Sequence, residues 1–353
     1  MNKLWQMLQV SSVFIGTIVG AGLASGKEIS QFFTCYGYIS FIGILICGLL
    51  YIFLCSMFIK ISLKYDLKSY TEFIRLISPG ILGEAIDYIT GFFLISGCAI
   101  ILAGSGALIN QYFGVSKWLG ILVMLIPTIV VLMQNTKGLV SVNSIIVPSL
   151  VTIITIIFVL YVLFSKDSFN IYTLVLIPKS KNYWFFFTLL YTGFNMLSCS
   201  GVIVPLCHEY KNKFTLISGV TLGAVVLTLL CLAINFMLLL NVPYIYKYEI
   251  PLLYISNRFG KSIQILLLII IWMEMFSTVI SDIYSVAKAL ESSNSQSNLF
   301  KFSYKKSIFL VALIALPISQ IGFSNLISFL YPGYGIISLL FLIQCTFFYL
   351  KNF

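Results

Sequence analysis

The sequence is built from apolar runs long enough to cross a bilayer, and that limits the chain to very few architectures. A spanning helix needs about 20 apolar residues. Ten such segments can be read, approximately from Leu4 to Phe33, Tyr38 to Ile59, Ala85 to Tyr112, Trp118 to Met133, Val142 to Phe164, Tyr183 to Cys207, Phe214 to Leu240, Ile263 to Ala289, Ser307 to Gln320 and Leu326 to Leu350. The fourth and ninth are short and carry Pro127 and Pro317. Composition agrees: 60% of the 353 residues are hydrophobic and 9% charged, where a soluble domain carries about 25% charged residues. The runs are continuous rather than alternating, which excludes an outer-membrane barrel. The expected fold class is an all-α polytopic membrane protein of about ten transmembrane helices.

An even number of spans puts both termini on one side of the membrane. If that side is cytoplasmic, 13 Lys and Arg residues fall on inner segments and 7 on outer ones, with Lys27 inside a span. The bias favours cytoplasmic termini. Lys60 to Glu84 inside and Asn241 to Lys261 outside are long enough to hold short amphipathic helices, and Ser292 to Lys301 reads as a flexible inner linker. The net charge of +10 comes from scattered lysines. No basic stripe marks a nucleic-acid surface; the expected partners are the lipid bilayer and a small-molecule substrate. Eight dispersed cysteines and one His, without a C-x-x-C pair, argue against a disulfide framework or a zinc site. Met1-Asn2-Lys3 before an apolar run mimics a signal peptide, but the run is interrupted by Gly and leads into Lys27-Glu28, so cleavage is not expected.

The most informative stretch lies within the first span. Gly16, Gly20, Gly22 and Gly26 fall within eleven residues, and each Gly costs a helix interior about 1 kcal/mol relative to Ala. Two readings fit. Gly16-xxx-Gly20 and Gly22-xxx-Gly26 suit a small-residue packing face. Equally, the helix can come apart here, which a bilayer tolerates only where protein, ligand or a water-lined cavity satisfies the freed backbone. The charges at Lys27-Glu28 favour the second reading.

Gly16-Thr17-Ile18-Val19-Gly20-Ala21-Gly22-Leu23 resembles the G-x-I-[IV]-G-[AS]-G-I signature of the amino acid–polyamine–organocation (APC) transporter superfamily, whose members share the LeuT-type fold. The longer run through Ala24-Ser25-Gly26-Lys27-Glu28-Ile29-Ser30-Gln31-Phe32-Phe33 is similar to the bacterial YkvI-type membrane proteins within that group. The resemblance implies a 5+5 inverted repeat, over about residues 1–166 and 180–353, with helices 1 and 6 discontinuous. It implies a secondary transporter in the bacterial cytoplasmic membrane, with substrate held at the two breaks near the bilayer midplane. Thr192 to Gly201 concentrates small and polar residues in the sixth span, and Glu209 follows Gly201 by the spacing that separates Glu28 from Gly20. Inversion would then place Glu28 outside and Glu209 inside.

Substrate-binding candidates are accordingly Gly20, Ala21, Gly22 and Leu23 of the first span and Asn195, Ser198, Ser200 and Gly201 of the sixth. No fixed Arg or Asp is evident among them. The expected substrate is therefore a small neutral amino acid or similar zwitterion, its carboxylate meeting the N–H groups of Ala21 and Gly22 and its amine the carbonyls of span six. Glu274 is an ionisable side chain at the centre of the eighth span and a functional candidate by default, as a proton carrier. Glu274, Ser277, Thr278 and Ser281 share one helix face. In transporters of the resembled fold a Na⁺ site lies between the first break and hydroxyls of the eighth helix. Carried over, the carbonyls of Gly16 and Val19 would face Ser277, Thr278 or Ser281. Proton-coupled relatives place a Lys in the fifth helix; the span from Val142 to Phe164 contains none, which leaves Na⁺ or a proton on Glu274 as coupling ion and no other cofactor. Lys27 and Glu28 are expected at an outer gate. Asp282 is expected at an inner one, paired with Lys3 or another base.

Other classes fit less well. A channel predicts rings of like charge or an ordered filter, and an intramembrane enzyme a nucleophile with its base or a metal cluster; no such motif occurs in the sequence. A non-transporting sensor or assembly protein that keeps the transporter fold fits as an alternative.

Overall fold

The computed structural model describes residues 3–134, 136–164, 182–248, 250–293, 303–321 and 323–353. The connector expected between the two repeats lies outside the described residues, as does all but the start of the Ser292 to Lys301 linker. The first apolar segment does not form one rod. It gives α1 (Lys3–Ile18), α2 (Ala21–Ala24) and α3 (Lys27–Phe32), and a 3₁₀ turn then leads into α4 (Ser40–Tyr65). The remainder comprises α5 (Tyr70–Ile77), α6 (Ile81–Phe113), α7 (Lys117–Leu132), α8 (Thr136–Phe164), α9 (Trp184–Tyr210), α10 (Lys213–Leu239), α11 (Pro251–Ser256), α12 (Lys261–Ser293), α13 (Tyr304–Ile318) and α14 (Phe323–Asn352). Among the described residues, 8 helices are long and apolar enough to cross a membrane. The other two expected spans, α1 and α7, have 16 residues each. At 1.5 Å per residue that is about 24 Å, short of the hydrocarbon thickness of about 30 Å.

The short helices fall where polar loops were expected. Ser69 caps α5 by accepting from the Glu72 N–H, while Glu72 Oε2 accepts from the Lys68 N–H at 2.7 Å. These contacts satisfy donors that an isolated helix start would leave open. Tyr70, Phe73, Ile74 and Ile77 form the buried face of α5. Arg75 and Thr71 tie it to Asp87 of α6, at 3.1 and 2.8 Å. Pro251 opens α11.

The long helices are apolar all round because one side meets protein and the other meets lipid. Leu49 and Phe347 expose 67% and 70% of their surface, which in water would be a cost and in lipid is not. Inside, α1 lies along α10 and α8, and α9 along α4 and α14. α12 touches α6, α8 and α9 and reaches the α1–α2 junction. α1 approaches α10 closely at Gly219 and Gly223, where added Cβ atoms would fall 2.7 Å from Val10 Cβ and 2.9 Å from Phe14 Cδ1.

One expectation fails. α9, the sixth span, is continuous from Trp184 to Tyr210. Its small and polar residues serve packing and local bonding instead of a break. Gly193 lies against Leu339 and Ser338, and Gly201 against Ser285 and Tyr70. Thr192 donates to the Thr188 carbonyl, Asn195 to Tyr191 and Ser200 to Leu197, all within the helix.

Polar contacts tie the helices together at both ends of the bundle. Lys64 Nζ donates to the Asn352 carbonyl at 2.8 Å, and His208 Nδ1 lies 2.9 Å from Asp66 Oδ1. The His208 hydrogen bond, helped by the nearby Lys211 and Lys68 charges, holds the Asp66 carboxyl below its ordinary pKa. At the opposite end Lys27 Nζ donates to the Tyr248 carbonyl and Arg258 to Asn241 Oδ1.

Candidate functional site

The first segment breaks at Val19 and Gly20. Val19 N–H still donates to Ile15 O, but Gly20 N–H turns back to Ile18 O at 3.0 Å instead of continuing the ladder to Gly16. The freed carbonyls are met by α12: Ser277 Oγ donates to Gly16 O at 3.3 Å, and Thr278 Oγ1 to Val19 O at 3.0 Å. Hydroxyls from a neighbouring helix thus satisfy backbone groups that lipid could not. Each hydroxyl also has a second acceptor. For Ser277 it is Asn143 Oδ1 at 2.6 Å, and for Thr278 it is Glu274 O at 3.0 Å. Asn143, fully buried on α8, also packs against Gly16, where a Cβ would overlap its side-chain oxygen. The packing and breaking readings of the glycines therefore both hold, at different positions: Gly16 makes room for Asn143 and Ser277, while Gly20 sits at the interruption.

A second turn follows at Ser25 and Gly26. Ser25 Oγ donates to Gly22 O, Leu252 N–H donates to Ser25 O at 2.9 Å, and Gly26 has φ 81°. That left-handed conformation is strained for any residue with a Cβ. The turn directs α3 so that Glu28 folds back over Gly22, where a Cβ would overlap the Glu28 carboxyl. Glu28 is 6% exposed, and the buried Tyr191 hydroxyl donates to its Oε2 at 3.2 Å.

A cavity of about 60 Å³ lies beside the first break. Gly20, Gly22 and Glu28 line it from the first segment, Asn195 and Ser198 from α9, and Thr278 and Asp282 from α12. Of the expected substrate residues, Gly20, Gly22, Asn195 and Ser198 are thus brought together. Leu23, Ser200 and Gly201 are not: Leu23 is fully buried in the apolar core, and the other two are used in the bonding and packing of α9. Ala21 begins α2; its side chain lies outside the described residues.

The gate expectations change more. Glu28 is not at an outer mouth, because the Gly26 turn folds it inward. Lys27 does stay at that end, on Tyr248. Asp282 is not paired with Lys3 or any other base among the described residues. It lines the cavity beside Gly97 of α6, 7% exposed. The expected helix face also divides. Ser277 and Thr278 reach the break, whereas Ser281 donates to Ser277 O within its own helix. Glu274 is fully buried, with neither carboxyl oxygen hydrogen-bonded among the described residues.

Sequence reasoning missed Asn143, Tyr191 and the contribution of α6. Asn143 carried a usable signal: a lone amide in an apolar span is expensive unless bonded. Tyr191 and Gly97 carried none. Glu209, the counterpart of Glu28 by spacing, accepts a short hydrogen bond from Thr136 and lines a separate cavity of about 360 Å³ with Lys68, Glu72, His208, Lys288 and Glu291.

Comparison with known proteins agrees with this architecture. The chain is 31% identical over 335 residues to the uncharacterised membrane protein YkvI of Bacillus subtilis, covering 95% of this chain and 93% of that one. The chain belongs to the YkvI family. YyaD of the same organism is 26% identical over 346 residues, covering 98% and 96% of the two chains. No protein-family profile matches the sequence. Among solved structures, this YkvI family member superposes on a Na⁺-coupled sialic acid symporter in its substrate-bound outward-open state, with a TM-score of 0.64 at 13% identity, covering 96% of this chain and 72% of that one. It superposes on Mhp1, a nucleobase-cation-symport-1 family transporter in a closed conformation, with a TM-score of 0.61 at 14% identity over 92% and 74%. These likenesses establish the LeuT-type fold for this multi-pass membrane protein.

Proposed function

We propose that this YkvI family member is a secondary active transporter that couples a cation to the movement of a small amine-bearing solute by alternating access. The observation that carries the reading is the interrupted first helix, whose Gly16 and Val19 carbonyls converge with the Ser277 and Thr278 hydroxyls beside a central cavity. Four neutral oxygens, two carbonyls and two hydroxyls, suit a hard monovalent cation such as Na⁺. When a cation takes the two carbonyls, the hydroxyl protons still have acceptors in Asn143 Oδ1 and Glu274 O. The structural neighbours, a Na⁺-coupled sialic acid symporter and a nucleobase-cation-symport-1 family transporter, support the same reading.

A proton on Glu274 is the second coupling route, favoured by a fully buried position in which neither carboxyl oxygen has a hydrogen-bond partner among the described residues. We place the termini and the His208–Asp66 end on the cytoplasmic side, following the lysine bias and the docking of Lys64 on Asn352. The five-plus-five repeat over about residues 1–166 and 180–353 belongs to this proposal.

The test is thermal unfolding of the purified full chain in NaCl and in choline chloride at equal ionic strength. A ligand bound only by the folded state at a hundredfold excess over Kd stabilises by about 2.7 kcal/mol. Na⁺ should raise Tm, and the rise should vanish in Ser277→Ala and Thr278→Ala. No rise at pH 5 to 8, together with no effect of Glu274→Gln on solute binding, would instead favour the non-transporting sensor.

A further inference from the structure

The central cavity brings together two carboxyl side chains, which the sequence did not reveal. Glu28 and Asp282 both line it, and among the described residues no Lys, Arg or His does. The Lys27 ammonium is held on the Tyr248 carbonyl. Asp282 is more than nine-tenths buried, lines the cavity, and makes no hydrogen bond or ion pair among the described residues. An ionised carboxylate in such a place is costly unless a cation faces it.

The place expected for a substrate carboxylate is also filled. Glu28 lies directly over Gly22, where the sequence suggested that an anionic group would meet the backbone. The chain supplies the carboxylate itself. A zwitterion entering this cavity would set its own carboxylate against Glu28.

From these observations we infer that the cavity selects a small organic ammonium ion lacking a carboxylate, with Glu28 and Asp282 as the specificity-determining residues. This rests on the transporter reading of the same site. The rest of the lining suits such a solute. Phe93, Phe194, Ile100 and Ile101 give apolar surface for the carbon skeleton, and aromatic faces attract alkylammonium groups. Asn195 and Ser198 provide oxygens for the remaining N–H donors. A bare divalent cation would demand an all-oxygen cage, which this half-apolar lining does not offer.

The experiment compares amines with the amino acids of the same side chain, using the full-length chain in lipid nanodiscs with NaCl present. Isobutylamine is set against valine, and phenethylamine against phenylalanine, and Kd is taken from Tm titrations. In at least one pair the amine should bind tenfold or more tightly than the amino acid. Asp282→Asn should weaken that amine tenfold or more while keeping the Na⁺-dependent rise in Tm, which shows that the variant is folded. Glu28→Gln serves as the second variant and should relax the discrimination against the amino acid. Equal or tighter binding of the amino acids, or an unchanged amine Kd in Asp282→Asn, would overturn the inference and leave the transporter reading standing. Na⁺ stabilisation without a response to any of the four probes would also overturn the inference alone. Loss of both responses would remove the two together.

Discussion

The first and sixth spans look alike in sequence and differ in structure. Both concentrate Gly, Ser and Thr at mid-membrane, yet the segment from Lys3 to Phe32 is interrupted at Val19–Gly20 while Trp184–Tyr210 runs through. What separates them is the set of partners beside each. The carbonyls of Gly16 and Val19 find Ser277 and Thr278 on a neighbouring helix. In the sixth span the hydroxyl and amide groups of Thr192, Asn195 and Ser200 turn back on their own carbonyls, and the glycines bring other helices close. Glycine density permits a break; external partners for the freed carbonyls decide whether one forms.

The largest effect is expected at Gly16. In Gly16→Ala the added methyl collides with Asn143 Oδ1 and lies 2.7 Å from Ser277 Oγ. Overpacking of this kind costs about 1–3 kcal/mol, and the displaced hydroxyl should also abolish the Na⁺-dependent rise in Tm. Adding Asn143→Ala should recover part of the lost stability in a thermal melt, because it removes the nearer obstacle. Full stability in the single variant would show that the first span can relax as the sixth does.

Removing the hydroxyl partners should have the next largest effect. Ser277→Ala and Thr278→Ala leave buried carbonyls unsatisfied, a loss of about 1–3 kcal/mol each, and Na⁺ should stabilise neither. Ser200→Ala in the sixth span, which deletes only a bond within the helix, should keep the full Na⁺ response. A shared response in all three variants would erase the contrast drawn here.

A smaller effect is expected at Gly201. Gly201→Ala places a methyl 2.6 Å from Ser285 Cβ and should lower Tm by a few degrees, about 1 kcal/mol, with the Na⁺ response intact. A lost response would mean that the sixth span takes part in cation binding.

The smallest effect concerns the end of the bundle. Asp66 is held below its ordinary pKa by the His208 hydrogen bond. Its contribution to stability is therefore present above the ordinary carboxylate range and is lost as pH falls through the depressed folded value. Asp66→Asn should flatten a slight acid-side decline in Tm, measured between pH 6 and pH 3, and leave the Na⁺ response unchanged.

Much of the architecture was legible in the sequence. Long apolar runs fixed an all-helical membrane protein, because lipid leaves backbone groups no other partner. Pro127 and Pro317 marked the short helices, and the glycines located the break to within a residue or two. The pairing of Gly16 and Val19 with Ser277 and Thr278 followed from the family resemblance and the hydroxyl face of the eighth span. The positions of Glu28 and Asp282 were not legible. Both were placed at gates from their distance to a span end, but a left-handed turn at Gly26 carries one inward, and the packing of α12 against α6 at Gly97 brings the other to the cavity.

The sequence by itself determined that this chain is a bundle of membrane helices with a weak point in the first, since hydropathy and glycine spacing act locally along the chain. Only the tertiary structure decided which weak point breaks and which carboxyl groups line the cavity. Those outcomes depend on what lies across from each residue, on helices more than a hundred positions away in the sequence.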